Sequence, residues 1–123
     1  MLCPVHEDTP GSLKPDFSGA AEGRMRFVAT GDPAETASGK LTLDVIRNEL
    51  AGIVAQRAAD DPNLYHFDGR ELYGEDDFAE LPLPDDIHPD AATHGRMGER
   101  FAALAFTDGG AFAERARAAD RVS

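Results

Sequence analysis

A chain of 123 residues, 41% of them hydrophobic, has the size of one domain and enough apolar side chain for a core, which excludes wholesale disorder. Twelve Lys and Arg against 23 Asp and Glu leave a net charge of −11, a balance that repels nucleic acid and anionic membrane surfaces alike. No apolar run approaches the roughly 18 residues of a membrane span, and the opening MLCPVHEDTPG has neither the basic stretch nor the apolar core of a secretory signal, so the chain as given reads as cytoplasmic.

Met1–Val5 is a short apolar run and reads as the end of a strand. It holds the single cysteine, Cys3, which has no internal disulfide partner and is expected to act as a small hydrophobe rather than a reactive thiol. His6–Lys40 is rich in Gly, Pro, Ser and Thr and reads as a long loop, either a functional lid or a poorly ordered insertion. Its one apolar patch, Met25–Ala29, fits a short strand or a packed loop. Leu41–Asp60 is the clearest helix. Leu43, Ile46, Leu50, Ile53 and Val54 form one stripe, Thr42 can cap the start, Asp44 complements the dipole, and Pro62 forbids continuation.

Asn63–Gly69 alternates aromatic and polar residues and is closed by glycine, which predicts a second strand. Arg70–Pro84 reads as a loop with room for one helical turn, its acidic run Glu75-Asp76-Asp77 forming a solvated face. Asp90 is a good N-cap for a helix with Met97, Phe101, Leu104 and Ala105 on one face, weakened by Gly95 and Gly98 at about 1 kcal/mol each. Asp108-Gly109-Gly110 ends it, and Ala111–Ser123 reads as a last short helix with a frayed end. The alternation of strand, loop, helix, strand, loop and helices predicts an α/β fold with a parallel pair joined by a right-handed crossover.

The chemistry concentrates in LPDDIHPD, Leu83–Asp90. A histidine acting as general base needs a partner on its second ring nitrogen to fix the tautomer and stabilise the imidazolium. A carboxylate three residues earlier on a loop that bends back can supply it, so Asp85 and His88 are read as a dyad, with Asp86 pointing away. Taken bare, Asp-x-x-His is a weak motif, and spacing alone favours an exposed loop with an N-cap over a dyad. A metal site from Asp85, Asp86, His88, Asp90 and His94 has the right ligand types, but His88 before the helix and His94 one turn inside it converge awkwardly. His66 is expected to be an ordinary strand residue. His6, just after the first strand, is a weaker candidate for a substrate contact.

LPDDIHPDAATHGRMGERFAA resembles the last block of SGNH (GDSL-type) esterases and lipases, which usually reads Asp-Gly-Leu-His-Pro-Asn followed by an Arg-Met-x-Glu-Arg-Phe-like helix. Asp85 and His88 match the catalytic acid and base, and Pro89 the following proline. Asp86 replaces the usual glycine, Asp90 stands where Asn is common, and Thr93 where glycine often is. CPVHEDTPG, LTLDVIRNELAGIV and NLYHFDGRELYG are similar in order and spacing to the segments that precede this block, so the resemblance runs from about Met1 to Phe106. It implies a three-layer α/β/α sandwich, flavodoxin-like, of which residues 1–123 would be the C-terminal part of one domain without its N-terminal strands and helices. It also implies metal-free and cofactor-free hydrolysis of acyl esters.

The family's other blocks are missing here. Ser12, Ser18, Ser38 and Ser123 are the only serines, none in a Gly-Asp-Ser setting; Gly31-Asp32 is followed by Pro33, and neither Asn48 nor Asn63 has the context of an oxyanion asparagine. The expectation is therefore a hydrolase fragment with Asp85 and His88 but no nucleophile, acting on an acyl ester only when completed. Its first strand would expose an unpaired apolar edge open to self-association. Two other readings stay open, a non-catalytic acidic interaction module and an Asp/His metal-binding protein.

Overall fold

The structure is a computed structural model that describes residues 1–19 and 22–113; the helix expected at Ala111–Ser123 lies, beyond Ala113, outside the described residues. Pro4 shapes the start of the chain. It sits at the second position of a turn in which Cys3 O accepts from His6 N at 2.9 Å, so Met1–Val5 is not a strand. Leu2 instead drops its side chain into the core, and its N–H donates to Tyr73 O at 2.7 Å.

Two strands follow, β1 (Leu13–Asp16) and β2 (Arg26–Ala29), paired antiparallel with Leu13 opposite Ala29 and Asp16 opposite Arg26. The last pair is also an ion pair, Arg26 Nε to Asp16 at 3.0 Å. Beyond β2 the pairing continues to Gly31, whose N–H donates to Pro10 O at 2.9 Å. A Cβ on Gly31 would lie 2.3 Å from that oxygen, so the approach requires glycine. A 3₁₀ turn, Pro33–Ser38, is capped by Asp32, which accepts from Ala34 N while Glu35 reaches back to Asp32 N. Of the two readings of Met25–Ala29 the strand is the one that forms, over Arg26–Ala29, and β1, β2 and the 3₁₀ turn give the described residues between His6 and Lys40 regular structure.

Helix α1 (Leu43–Arg57) starts where Thr42 Oγ1 accepts from Val45 N, and it ends before Pro62. Its first turn is tied to the chain start: Leu43 N donates to His6 O, Asp44 N donates to Glu7 O, and Arg47 pairs with Glu7. In Asn63–Gly69 no strand forms: Asn63 closes a turn, 64–68 carry no regular structure, and Gly69 opens a 3₁₀ turn, Gly69–Glu71, capped by Asp68. Helix α2 (Glu75–Glu80) and helix α3 (Ala91–Phe106) complete the described elements.

The expected three-layer α/β/α sandwich is therefore corrected. Among the described residues the two-stranded antiparallel sheet is the only sheet, and the other regular elements are helical. The predicted parallel pair fails because neither of its strands forms. Pro4 turns the first segment away, and the alternation in Asn63–Gly69 meets no neighbouring strand. With the first strand goes the sheet edge through which self-association was expected.

The core is small. Leu2, Tyr73 and Leu83 form its buried centre, with Met1, Phe78 and Met97 packed against it. Tyr73 keeps its hydroxyl satisfied inside, donating to Leu81 O at 2.6 Å. Asp77 corrects a second expectation. Glu75 and Asp76 are solvated, but Asp77 is 5% exposed and accepts from Arg96 at 2.9 Å and Arg100 at 2.5 Å, which fastens α3 to α2. No helix of the described residues is long and apolar enough to cross a membrane.

Candidate functional site

The loop between Leu83 and α3 carries the expected pair. Asp85 accepts at Oδ1 from two backbone N–H groups, Ile87 at 3.2 Å and His88 at 2.8 Å, so its side chain closes the turn on itself. Its other oxygen, Oδ2, meets His88 Nδ1 at 2.6 Å. Burial works to raise the Asp85 pKa, but the hydrogen bonds from the His88 ring and from the His88 and Ile87 amides outweigh it, and the net direction is down. An ionised carboxylate at that distance places a proton on Nδ1. Nε2 is left as the acceptor on a ring that is 69% exposed.

Asp86 turns away, as expected. Its φ is 70°, a left-handed conformation that glycine adopts without penalty and that Asp tolerates. Its carboxylate pairs with Arg24 at 3.1 Å, and its N–H returns to Leu83 O. Strand β2 braces the loop from one side. Phe27 N donates to Asp85 O at 2.9 Å, and the Phe27 ring meets the His88 ring edge-on, centroids 5.9 Å apart at 79°. From the exit side, Asp90 Oδ1 accepts from Thr93 N at 2.9 Å and starts α3. The loop is thus fixed at Asp85, at Asp86 and at its exit, while the ring projects.

The other candidates separate. His6 Nδ1 lies 3.1 Å from Thr9 O and pins its own turn. His66 is exposed on an unpaired segment rather than in a strand, and His94 is exposed on the first turn of α3. Among the described residues no group of three or more His, Cys, Asp or Glu side chains is placed to hold a metal. Cys3 stands near the site, its Sγ 3.9 Å from Asp86 O. Burial pushes its thiol pKa up more than the Val5 and His6 amides lower it, and the Glu7 and Asp85 charges add to the rise, so at neutral pH it is a thiol and a poor nucleophile. Among the described residues no serine hydroxyl is hydrogen-bonded to His88.

Sequence reasoning missed Arg24 and Phe27 as parts of this site. Phe27 carried a signal, since the Met25–Ala29 patch had to pack on something. Arg24 carried none, being one arginine among many charges 62 positions from its partner. No family model, no curated protein and no solved structure matches this chain.

Proposed function

We propose that Asp85 and His88 are the acid and base of a serine-type ester hydrolase of SGNH character whose attacking serine comes from a polypeptide segment other than residues 1–113. One observation carries this reading: Asp85 grips Nδ1 at 2.6 Å while the ring stays 69% exposed. That leaves Nε2 basic, oriented and accessible, as a general base must be. The left-handed backbone at Asp86 supports it, because the resembling block has glycine there. In the completed site His88 Nε2 takes the serine proton as the hydroxyl attacks the acyl carbon. Asp85 stabilises the imidazolium, and His88 then returns the proton to the leaving alcohol.

The test is labelling by a fluorophosphonate. The chain alone should not label, since no serine among the described residues is activated. Mixing it with a polypeptide that carries a Gly-Asp-Ser nucleophile block should produce labelling that His88→Ala removes. In the completed enzyme Asp85→Asn should cost about 10⁴ in rate. Stoichiometric labelling of the chain alone, or labelling of the mixture indifferent to His88→Ala, would overturn the reading.

A further inference from the structure

His88 is equipped to accept a proton, yet among the described residues no nucleophile stands ready to give it one. Ser18 donates its hydroxyl to Asp16 and Ser38 donates its own to Glu35 O, while burial keeps Cys3 a thiol. The imidazole is left as the most reactive nucleophile at its own site, and a neutral ring nitrogen attacks an activated acyl carbon directly. We propose that the chain by itself, without a serine, moves acyl groups from neutral activated esters onto His88 Nε2 and from there to water. This activity shares the Asp85–His88 geometry with the serine hydrolase proposed above but needs no second polypeptide.

Three features aim the attack. Asp85 Oδ2 lies 2.6 Å from Nδ1 and keeps the proton there, so the lone pair sits on Nε2. The His88 side chain is 69% exposed, so an ester can reach that lone pair. The ring is also held: the Phe27 ring meets it edge-on at 5.9 Å, and the His88 N–H donates to Asp85 Oδ1 at 2.8 Å. No other described histidine combines these. His6 Nδ1 lies 3.1 Å from Thr9 O, a carbonyl that carries no charge to offset a cation on the ring. His66 and His94 are exposed, but among the described residues no hydrogen bond fixes either ring.

In the first step the Nε2 lone pair forms a bond to the acyl carbon, and the bond from that carbon to the leaving group breaks. The leaving group departs with the electron pair, as an anion. The ring becomes an acyl-imidazolium, whose positive charge the ionised Asp85 stabilises as it would that of a protonated ring. Water then adds to the acyl carbon, the bond to Nε2 breaks with its pair returning to nitrogen, and the carboxylic acid leaves while one proton passes to solvent. Two constraints select the donor. Nε2 carries no proton for the leaving group, so that group must depart as a stable anion; phenyl esters and thioesters qualify and alkyl esters do not. Asp85, Asp86 and Asp90 lie within three residues of the ring, and of the three only Asp86 is paired with an arginine. With a chain charge of −11, this disfavours anionic phosphoryl donors and leaves neutral acyl donors.

The test is turnover of p-nitrophenyl acetate by the full chain at neutral pH, read as p-nitrophenolate release. The rate should exceed that of N-acetylhistidine at equal concentration by about tenfold. Rapid-quench peptide mass spectrometry should find one acetyl group on the peptide holding His88, gone when the ester is exhausted. His88→Ala should remove the excess rate. Asp85→Asn should remove it too with the ring still in place, because the proton then sits on Nε2. His94→Ala and Cys3→Ala should leave the rate unchanged. A rate indifferent to His88→Ala or to Asp85→Asn overturns the proposal, as does a transient acetyl group on any other residue. Acetyl phosphate leaving a phosphoryl group on His88 faster than the ester leaves acetyl would make the ring a phosphoryl acceptor and reject the acyl assignment. The serine reading fails separately. An adduct on imidazole hydrolyses whereas one on serine persists, so stable fluorophosphonate labelling of a completed enzyme reports serine alone.

Discussion

Asp85 holds His88 through two atoms at once, the backbone N–H on Oδ1 at 2.8 Å and the ring Nδ1 on Oδ2 at 2.6 Å. The same carboxylate therefore shapes the loop and sets the tautomer, and the two partners are not equivalent when removed. Asp85→Ala strips the turn of its acceptor for Ile87 and His88 and should cost about 1–2 kcal/mol in urea unfolding. His88→Ala removes only an exposed ring and should cost less than about 0.5 kcal/mol. Equal losses would mean that Asp85 serves the ring alone. Since Oδ1 can still accept both backbone amides in Asp85→Asn, that variant should fold normally while its ¹⁵N spectrum shows His88 in the opposite tautomer, protonated at Nε2, because the new amide NH₂ donates to Nδ1 where the carboxylate accepted.

Asp77 is the corresponding anchor on the other side of α3. It is almost fully buried and takes both Arg96 and Arg100, one helical turn apart on α3, while Gly74 N donates to it at 2.9 Å. Asp77→Ala strands two cations and an amide. Breaking a fully buried pair costs about 3–5 kcal/mol; here the arginines are 30% and 40% exposed, so about 2 kcal/mol is expected in chemical denaturation. Glu80→Ala, which removes a solvated partner of Arg96, should change stability by less than about 0.5 kcal/mol.

The local chemistry of this chain was legible and its tertiary arrangement was not. Thr42 and Asp90 cap the helices they were expected to cap, because an N-cap is a bond between residues three apart and needs no knowledge of the rest. Asp85 and His88 met for the same reason. The strands at Met1–Val5 and Asn63–Gly69 failed because a strand exists only with a neighbour, and composition does not show whether one is there. In Glu75-Asp76-Asp77, nothing local tells the third acid from the first two; Arg96 and Arg100, four apart on α3, were the available sign that one of them would be claimed. The stripe expected on α1 lines no core, Leu50 and Ile53 being exposed, because helical spacing of apolar residues does not show whether anything packs against them.

Because the buried centre is little more than Leu2, Tyr73 and Leu83, each of its members should matter greatly. Leu83→Ala should cost about 3 kcal/mol, enough to unfold a substantial fraction of so lightly packed a chain at 25 °C. Tyr73→Phe keeps the ring and loses the 2.6 Å bond to Leu81 O, leaving a carbonyl short of its partner, and should cost about 1–2 kcal/mol. By contrast Leu50→Ala on α1, outside this centre, should cost the monomer less than about 1 kcal/mol. Thermal melts of dilute protein, taken together, separate core from surface.

Stability should fall steeply in acid, and the carboxylates determine where. The Arg100 guanidinium, then Gly74 N–H and Arg96, hold Asp77 well below the ordinary carboxylate range against the burial that would raise it. Arg70 holds Asp68 down to about 2, again against burial. Asp85 is lowered as well, by its His88 bonds. For each, the unfolded chain binds protons more readily than the folded one, so stability rises with pH through the window between folded and unfolded pKa. The contribution is fully present above about pH 4 and is lost as pH falls toward 2 and below. Asp68, a third exposed and screened, should contribute little of it. Asp77→Asn should therefore flatten the acid limb most, when urea midpoints are measured from pH 7 down to pH 2, and Asp68→Asn should leave it nearly as steep. A wild-type midpoint that does not move between pH 4 and pH 2 would show that these ion pairs do not hold the chain together in solution.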